Sequence, residues 1–353
     1  MNKTFSIAGR EISAAAAPFV IAELSGNHAQ NLDTAKAMII AAAAAGADAI
    51  KLQTYTADTI TLNSTNPEFQ INEASSLWQG ENLHSLYQKA HTPWQWHAEL
   101  FQLAKDQGLI AFSSPFDETS VDFLESLQVP CYKIASFEIN HFPLLKKVAA
   151  TGKPVIMSTG MSSSEEIEEA VAHLRENGCT DIALLKCTSA YPASVADANL
   201  ATIADMKIRF GLPIGLSDHS LGIGVAIVAA AMGAEIIERH FVLDRDSNAV
   251  DAAFSSTPAE LAQLVKEASQ IKSAIGSVHY GPSQGEQDSL KYRRSIYVCR
   301  DMEKGQLITK EDIKVVRPAL GMHPKFYDHV LGKPLQHAKK INTPLCHDDI
   351  SEC

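Results

Sequence analysis

The sequence has no long hydrophobic run. Its longest apolar stretch, residues 37–45, is alanine-rich and far shorter than the roughly 20 residues that cross a bilayer. The opening residues, MNKTFSIAGREIS, do not include the apolar core of a secretory signal. These absences predict a soluble, cytoplasmic protein that does not bind a membrane.

The sequence also has no CxxC pair and no basic run. Six scattered cysteines in a chain of 353 residues are typical of reduced thiols in a cytosol. The formal net charge of −11 argues against nucleic acid as a partner. A pocket that is locally positive, and that binds a small anion, remains compatible with this charge.

What the sequence does have is a short apolar run that turns polar at its end, repeated eight times. Such runs favour strands that are buried on both faces of a parallel sheet. The runs are FVIAEL (19–24), AIKLQTY (49–55), IAFSSPF (110–116), CYKIASF (131–137), VIMSTG (155–160), ALLKCTS (183–189), IGLSDH (214–219) and EIIERHF (235–241).

Helical stretches that end at a glycine lie between the runs, over 32–45, 165–177 and 221–232. Alternation of eight strands with helices predicts a (β/α)8 TIM barrel in residues 1–280. An open doubly wound sheet is the alternative, but no G-x-G-x-x-G follows the first strand.

Two regions interrupt the alternation. About 55 residues, rich in aromatic side chains, separate the second and third strands; they predict either a substrate wall or simple packing of the three tryptophans. After the barrel, a polar segment over 281–293 predicts a linker, and 294–353 predicts a small β-rich domain.

In a barrel, the C-terminal ends of the strands meet at the active site. Lys51 and Lys133 lie inside apolar strands, where an unpaired ammonium is costly, so they predict an anion site. Either lysine could instead pair with a buried carboxylate such as Glu23 or Glu138, or form a Schiff base. Hydroxyls that would bind the anion come from Ser114, Ser136 and Ser158.

His219 and His240 end the last two predicted strands, which are neighbours in a closed barrel. A pair of imidazoles predicts a weak divalent-metal site, for Mn²⁺, Mg²⁺ or Co²⁺, with positions left for water and substrate. His28 is a weaker metal candidate. Asp218 and Glu238 are interpreted as partners that orient the imidazoles or loops.

Ten segments in order resemble the sialic acid synthase family: IAELSGNH, GADAIKLQTY, FSSPFD, YKIASFE, IMSTGM, KCTSAYP, GLSDHS, IERHF, RRSIYV and VVRPALGMHP. The last two resemble its C-terminal SAF module, an antifreeze-like β-clip domain. The resemblance implies an enzyme that condenses phosphoenolpyruvate with an amino sugar, and a metal, usually Mn²⁺, on His219 and His240.

The resemblance also implies roles for single residues. Glu23 would be the catalytic carboxylate, and the general base is left open between it and a metal-activated water. Phosphoenolpyruvate would bind through Lys51, Ser114, Lys133, Ser136, Ser158 and Ser217. The sugar would bind through Gln53, Glu138, Tyr191, Asp251 and Arg317. The family implies that Arg317 comes from the other subunit of a domain-swapped homodimer.

Three segments, SGNH, ASFE and KCTS, differ from the family members that make N-acetylneuraminate and resemble the pseudaminic branch. That branch implies 2,4-diacetamido-2,4,6-trideoxy-altrose as the sugar, and an apolar wall at Phe137 would suit its missing hydroxyl. The alternatives are a synthase for N-acetylneuraminate or legionaminic acid, a Schiff-base aldolase using Lys133, and a non-catalytic sugar- or ice-binding protein.

Overall fold

The computed structural model describes residues 5–73 and 76–350, and the chain divides into two compact units between Gly276 and Ser277. Eight parallel strands of the first unit pair in chain order, and the last also pairs with the first. The strands therefore close into the predicted barrel, which is confirmed, and the open sheet is excluded. The exact boundaries predicted for barrel, linker and C-terminal domain stay predictions.

Among the described residues, two short strands precede the barrel, eight form it, and two lie in the second unit. They are β1 Phe5–Ile7, β2 Arg10–Ile12, β3 Phe19–Glu23, β4 Ala49–Thr54, β5 Ile110–Pro115, β6 Tyr132–Ile134, β7 Val155–Ser158, β8 Ile182–Cys187, β9 Ile214–Asp218, β10 Ile236–His240, β11 Ser295–Val298 and β12 Ile313–Val316. Several predicted runs overshoot their strand, because the last polar residues already belong to turns, as at the 3-10 turn Ser136–Glu138.

Helices follow or connect the strands. They are α1 Leu32–Ala44, α2 Ala57–Ile60, α3 Leu83–Ala90, α4 His97–Asp106, α5 Glu118–Ser126, α6 Phe142–Ala149, α7 Ser164–Glu176, α8 Ala201–Phe210, α9 Gly224–Ala231, α10 Pro258–Ile275 and α11 Tyr327–Val330. The start of α7 is fixed by Ser163 and Glu166, whose side chains each cap the backbone amide of the other. The start of α9 lies three residues later than predicted, after the bend at Gly222.

The side chains that point into the barrel are apolar near the start of the strands and polar near their C-terminal ends. Side chains of a strand alternate between its faces, and one buried cluster inside the barrel contains Ile21, Ala49, Phe112, Cys131, Ile156 and Ile236. Two residues further along the chain in each case, the buried side chains are Glu23, Lys51, Ser114, Lys133, Ser158 and Glu238. A layer of charged and hydroxyl side chains therefore lies directly above the apolar layer.

The hairpin of β1 and β2 belongs to the same apolar cluster. Phe5, Ile7 and Ile12 are buried with the inward residues of the barrel, and β1 pairs with β2 in antiparallel register. The hairpin therefore covers the N-terminal end of the barrel, opposite the strand ends that carry the candidate residues.

The described part of the long connection between β4 and β5 is built from short helices and turns. It contains α2, the 3-10 turn Pro67–Phe69, α3 and the 3-10 turn Trp94–Trp96, and it ends in α4, a regular barrel helix. Trp94 stacks on Phe123 at 4.7 Å, and Trp96 contacts His28. Two of the three tryptophans are therefore packing residues, as the simpler interpretation predicted.

The second unit has its own core. Strands β11 and β12 pair in antiparallel register, and buried residues such as Ile296, Val298, Met302 and Leu345 form one cluster. Within the described ranges, no helix combines the length and the apolar character that a membrane crossing requires.

A buried ion pair links the loops above the last two barrel strands. The Arg239 guanidinium contacts the Asp218 carboxylate, and both side chains are 2% exposed. Arg239 also donates to Ser256 Oγ at 2.7 Å and to the Ser220 carbonyl at 2.7 Å. The arginine therefore holds the loop after β9 against the loop after β10.

We expect Arg239→Met to lower the free energy of unfolding of the barrel by about 3 to 5 kcal/mol, because it leaves a buried carboxylate unpaired. Urea unfolding followed by tryptophan fluorescence reports on this unit, since Trp78, Trp94 and Trp96 all lie in it.

Arg245→Met is the matched control. Arg245 pairs with Glu260 in the same way, but the two side chains are 34% and 26% exposed, so the loss should be at most about 1 kcal/mol. Equal losses for the two variants would contradict the importance of the buried pair.

Candidate active site

A cavity of about 920 Å³ opens at the C-terminal ends of the barrel strands. Of the predicted site residues, those that line it are Glu23, Lys51, Gln53, Lys133, Ser136, Glu138, Ser158, Tyr191, Ser217, His219, His240 and Asp251. Ser114 is buried on β5 opposite Gln53, and Arg317 follows β12 in the second unit. The fold thus brings most of the predicted residues to one place.

Lys51 is buried between two carboxylates. Its Nζ lies 3.0 Å from Glu23 Oε2 and 2.9 Å from Glu238 Oε1, with all three side chains at most 4% exposed. Burial acts to lower the pKa of Lys51, but the two carboxylates outweigh it and hold that pKa above its ordinary value. The predicted pairing of Lys51 with Glu23 is therefore present, and Glu238 is a second partner.

Lys133 is less completely neutralised. Its Nζ donates to Ser158 Oγ at 2.7 Å and to the Ile134 carbonyl at 3.2 Å, and it lies 3.4 Å from Glu238 Oε1. Burial, and after it the neighbouring Lys51, lower the pKa of Lys133, which Glu238 only partly offsets. A further negative charge at this point would stabilise the ammonium, as an anion site requires.

Hydroxyls and a backbone amide surround the lysines. Ser136 Oγ accepts from the Gly160 amide at 3.0 Å, and a Cβ at Gly160 would lie 2.8 Å from that oxygen. Ser114 Oγ is buried and has no hydrogen-bond partner. Ser217 Oγ donates to Glu238 Oε1 at 3.1 Å. Unpaired buried hydroxyls are costly, and a phosphate or carboxylate would satisfy them.

His219 and His240 lie side by side, with ring centroids 5.1 Å apart. Nδ1 of His219 lies 3.0 Å from the Thr188 carbonyl, an arrangement that leaves Nε2 for a ligand. Nδ1 of His240 is buried without a hydrogen-bond partner, and Nε2 lies 3.3 Å from Glu23 Oε2.

These observations fit a divalent ion held by the two imidazoles. In the described part of the chain, no three or more His, Cys, Asp or Glu side chains are grouped as a metal cluster. Binding of an ion by the two imidazoles, with water and substrate as its other ligands, stays a prediction.

Glu23 is held in its ionised form. Gln53 Nε2 donates to Glu23 Oε1 at 2.7 Å. Burial acts to raise the pKa of Glu23, but electrostatic interactions with His240 and Lys51 and the bond from Gln53 lower it well below its ordinary value. Glu23 is therefore an acceptor placed between the lysine and the histidines.

Glu138 has the opposite character. Its Oε2 is buried without a hydrogen-bond partner, and burial raises its pKa to about 7, although the charges of Lys133 and Lys51 act to lower it. One carboxyl group of the cavity is thus poised to carry a proton near neutral pH.

Aromatic side chains form the outer wall. The Tyr191 ring lies 4.5 Å from the His219 ring and 6.0 Å from Trp78, and Trp78 Nε1 donates to the Val250 carbonyl at 3.1 Å. Phe137 lines the cavity and is 58% exposed. Of the three tryptophans, only Trp78 lines the cavity, so the connection supplies part of the cavity wall.

Two sequence interpretations are revised. His28 is buried, contacts Thr92 Oγ1 at 3.1 Å and packs edge-on against Trp96, so it is a packing residue and not a metal ligand. Glu238 bridges the two lysines instead of orienting an imidazole or a loop. Asp218 does orient loops, as predicted, because it pairs with Arg239 and accepts from the Ser220 amide.

Ser25 and Cys187 both line the cavity but were not among the residues predicted from the sequence. Cys187 could have been found from strand alternation, because it stands two residues after the buried, inward Leu185. Ser25 lies in a loop after β3, where no periodic pattern applies.

The chain matches the NeuB family over residues 38–280 and the SAF domain over residues 293–351. It is 44% identical over 335 residues to a pseudaminic acid synthase of Helicobacter pylori, which covers 94% of this chain and 98% of that protein. It is 38% identical over 340 residues to an N,N'-diacetyllegionaminic acid synthase of Legionella pneumophila, covering 94% of each chain.

A solved structure agrees with these matches. The N-acetylneuraminic acid (sialic acid) synthetase of Leptospira borgpetersenii serovar Hardjo-bovis, determined in complex with citrate, aligns with a TM-score of 0.72 at 34% identity. The alignment covers 83% of this chain and 97% of that chain.

We expect Glu138→Gln to change how stability depends on pH. A carboxyl whose pKa is raised to about 7 stabilises the fold fully below the ordinary value near 4.5, and this contribution is lost as pH rises through 7. Relative to the unchanged protein, the free energy of unfolding of the glutamine variant should therefore rise by about 3 kcal/mol as the pH goes from 4 to 8.

Urea unfolding at four or five pH values measures this gain. Glu68→Gln removes an exposed glutamate and should show no such trend. A constant difference between the Glu138 variant and the unchanged protein over the whole range would contradict the raised pKa.

Proposed function

The chain belongs to the NeuB family of phosphoenolpyruvate-condensing synthases, which confirms the predicted resemblance, and we propose the reaction and the residue roles that follow. The protein condenses phosphoenolpyruvate with 2,4-diacetamido-2,4,6-trideoxy-β-L-altropyranose and water, and the products are pseudaminic acid and phosphate. The observation that carries this choice of sugar is the 44% identity to a pseudaminic acid synthase over almost the whole chain.

Lys51 and Lys133 bind the carboxylate and phosphate of phosphoenolpyruvate. Both ammonium groups are buried and point into one cavity, and the incomplete neutralisation of Lys133 supports an anionic partner beside it. The donors that complete the anion site are Ser114, Ser136, Ser158 and Ser217. Because the fold places these groups before the substrate arrives, they stabilise developing charge without reorganisation.

Bond formation takes place above the lysines. C3 of phosphoenolpyruvate forms a bond to the aldehyde carbon of the open-chain sugar, a water oxygen adds to C2, and one proton of that water passes to the aldehyde oxygen, which becomes a hydroxyl. The bond between C2 and the phosphate oxygen then breaks, and phosphate leaves with the bonding electron pair. The remaining proton of the C2 hydroxyl passes to the phosphate, and C2 becomes a ketone. The ionised Glu23, which Gln53 holds in place, orients the water by accepting a hydrogen bond from it.

The family is generally metal-dependent. His219 and His240 are the residues that would hold the ion, and we propose Mn²⁺ rather than Mg²⁺ or Co²⁺. A bound ion would supply Lewis acidity to the aldehyde oxygen of the sugar.

The amino sugar binds in the upper part of the cavity. Gln53, Glu138, Tyr191 and Asp251 line it, and Phe137 offers an apolar surface to the carbon that lacks a hydroxyl. A cytoplasmic location is part of the proposal, supported by the fact that no disulfide joins the described cysteines.

We expect phosphate release from phosphoenolpyruvate only with the 2,4-diacetamido sugar and an added divalent ion, with Mn²⁺ the best. N-Acetylmannosamine and the legionaminic precursor should support less than about 1% of that rate, because discrimination by a built polar site reaches hundredfold or more. A colorimetric phosphate assay on chelator-treated protein with each ion added back measures this.

Phe137→Gly tests the apolar wall in the same assay. The ratio of the rate with the 2,4-diacetamido sugar to the rate with N-acetylmannosamine should then be smaller. Higher activity with N-acetylmannosamine in the unchanged protein would favour the alternative synthase. Trapping of Lys133 by borohydride, with no effect of chelation, would favour the aldolase.

The remaining part of the proposal concerns Arg317, which would reach the sugar from the second subunit of a domain-swapped homodimer. The match of the C-terminal unit to the SAF domain supports it. We expect Arg317→Ala and Lys133→Met to be nearly inactive alone.

Mixed and refolded together, these variants should recover up to about a quarter of the original activity. Half of the dimers would be mixed, and each of these would have one complete site. No recovery, or a monomer by light scattering, would contradict the swapped dimer.

A further inference from the structure

Ser25, in the loop after β3, has an unfavourable backbone conformation. Its φ of +46° lies in the left-handed region, where a residue with a Cβ is strained and glycine is not. The side chain is buried and lines the cavity. A strained non-glycine residue at a site is a reason to ask what its side chain does.

The Ser25 hydroxyl donates a short hydrogen bond to Asp251 Oδ2. The backbone of Asp251 is also fixed, since its amide donates to Asn27 Oδ1 at 3.2 Å and its carbonyl accepts from Ser255 Oγ at 2.6 Å. Asn27 Nδ2 in turn donates to Ser255 Oγ at 2.8 Å. These contacts tie the loop after the first barrel strand to the loop after the last one.

The carboxylate that Ser25 holds faces a histidine. Asp251 Oδ2 lies 3.5 Å from Nδ1 of His240, and that buried nitrogen has no hydrogen-bond partner. The distance is longer than a direct N–H···O bond, so the two groups face each other without being bonded. The other ring nitrogen, Nε2, points towards Glu23.

We propose that Ser25 is a positioning residue for the metal site. Its hydroxyl holds the Asp251 carboxylate opposite Nδ1 of His240, so that closing the 3.5 Å gap by a few tenths of an ångström makes Asp251 the acceptor for an Nδ1–H. This fixes the tautomer of His240, so that Nε2 presents its lone pair to the divalent ion. Metal-binding histidines commonly donate their other N–H to a carboxylate in this way. The inference rests on the metal part of the proposed function.

Serine at this position is explained by this role and not by the backbone. Glycine would adopt the same φ without strain, but it would leave Asp251 Oδ2 without its donor. The strain is thus the cost of placing a hydroxyl where the loop turns next to Asp251.

Ser25→Ala and Ser25→Gly form the first test, since both remove the hydroxyl and only glycine relieves the strain. Mn²⁺ affinity is measured on the full chain without substrates, by the electron paramagnetic resonance signal of free Mn²⁺. Both variants should bind Mn²⁺ about 3- to 10-fold more weakly, less than the 10- to 100-fold typical of a direct ligand partner. The glycine variant should have an equal or higher melting temperature.

Gln128→Gly is the matched control. Gln128 also has a positive φ, +56°, but it lies in the turn between α5 and β6. The substitution Gln128→Gly should raise the melting temperature or leave it unchanged, and it should not alter the affinity for Mn²⁺.

The second test is a double-mutant cycle with Asp251→Asn. If Ser25 acts through Asp251, then Ser25→Ala has no further effect on Mn²⁺ affinity when Asp251 is already asparagine. An equal loss in both backgrounds, or unchanged affinity in both Ser25 variants, would overturn the proposal.

The outcome is separable from that of the proposed reaction. If the protein binds Mn²⁺ with the expected dependence on Ser25 but releases no phosphate, the result supports this inference and contradicts the proposed reaction. Unchanged protein that binds no Mn²⁺ would overturn the inference, whatever its activity.

Discussion

The structure depends on one constraint, which is that two ammonium groups are buried inside a barrel. Glu238 makes this possible, because one of its oxygens lies 2.9 Å from Lys51 Nζ and 3.4 Å from Lys133 Nζ. Without substrate, two lysines face two carboxylates, Glu238 and Glu23, so the cluster is close to neutral. In the proposed reaction, an anion would compete with those carboxylates for the ammonium groups. The lysines therefore have a negatively charged partner whether or not the anion is bound.

Much of this arrangement could be predicted from the sequence. Eight apolar runs that become polar, with helices between them, were enough to predict the barrel. Runs of this kind are typical of parallel strands covered by helices, and eight such strands can close into a barrel. The histidine pair followed from its position at the ends of consecutive strands, and strand closure then set it beside Glu23. The segments shared with a known family added the expected roles, which the pattern of residues alone leaves open.

The rest depends on geometry that no periodic pattern encodes. Which carboxylate pairs with which lysine follows from the register of β10 against β9 and β3, and a register is not visible in one strand. The conformation of Ser25 and the inward position of Trp78 belong to loops, whose paths are set by tertiary packing. At Gly26, for example, the neighbouring segment of the chain is so close that a Cβ would lie 3.1 Å from Ala90. The pKa of Glu138 likewise requires knowledge of its burial.

The hairpin of β1 and β2 gives the barrel a closed floor. Phe5, Ile7 and Ile12 pack against the apolar layer beneath the lysines. His240 ends β10 two residues after Glu238, and His219 directly follows β9, two residues after Ser217. The cavity is thus closed below the lysines and opens on the side of the histidines. In the proposed reaction, an anion on the lysines would therefore lie beneath the sugar and would have to bind before it.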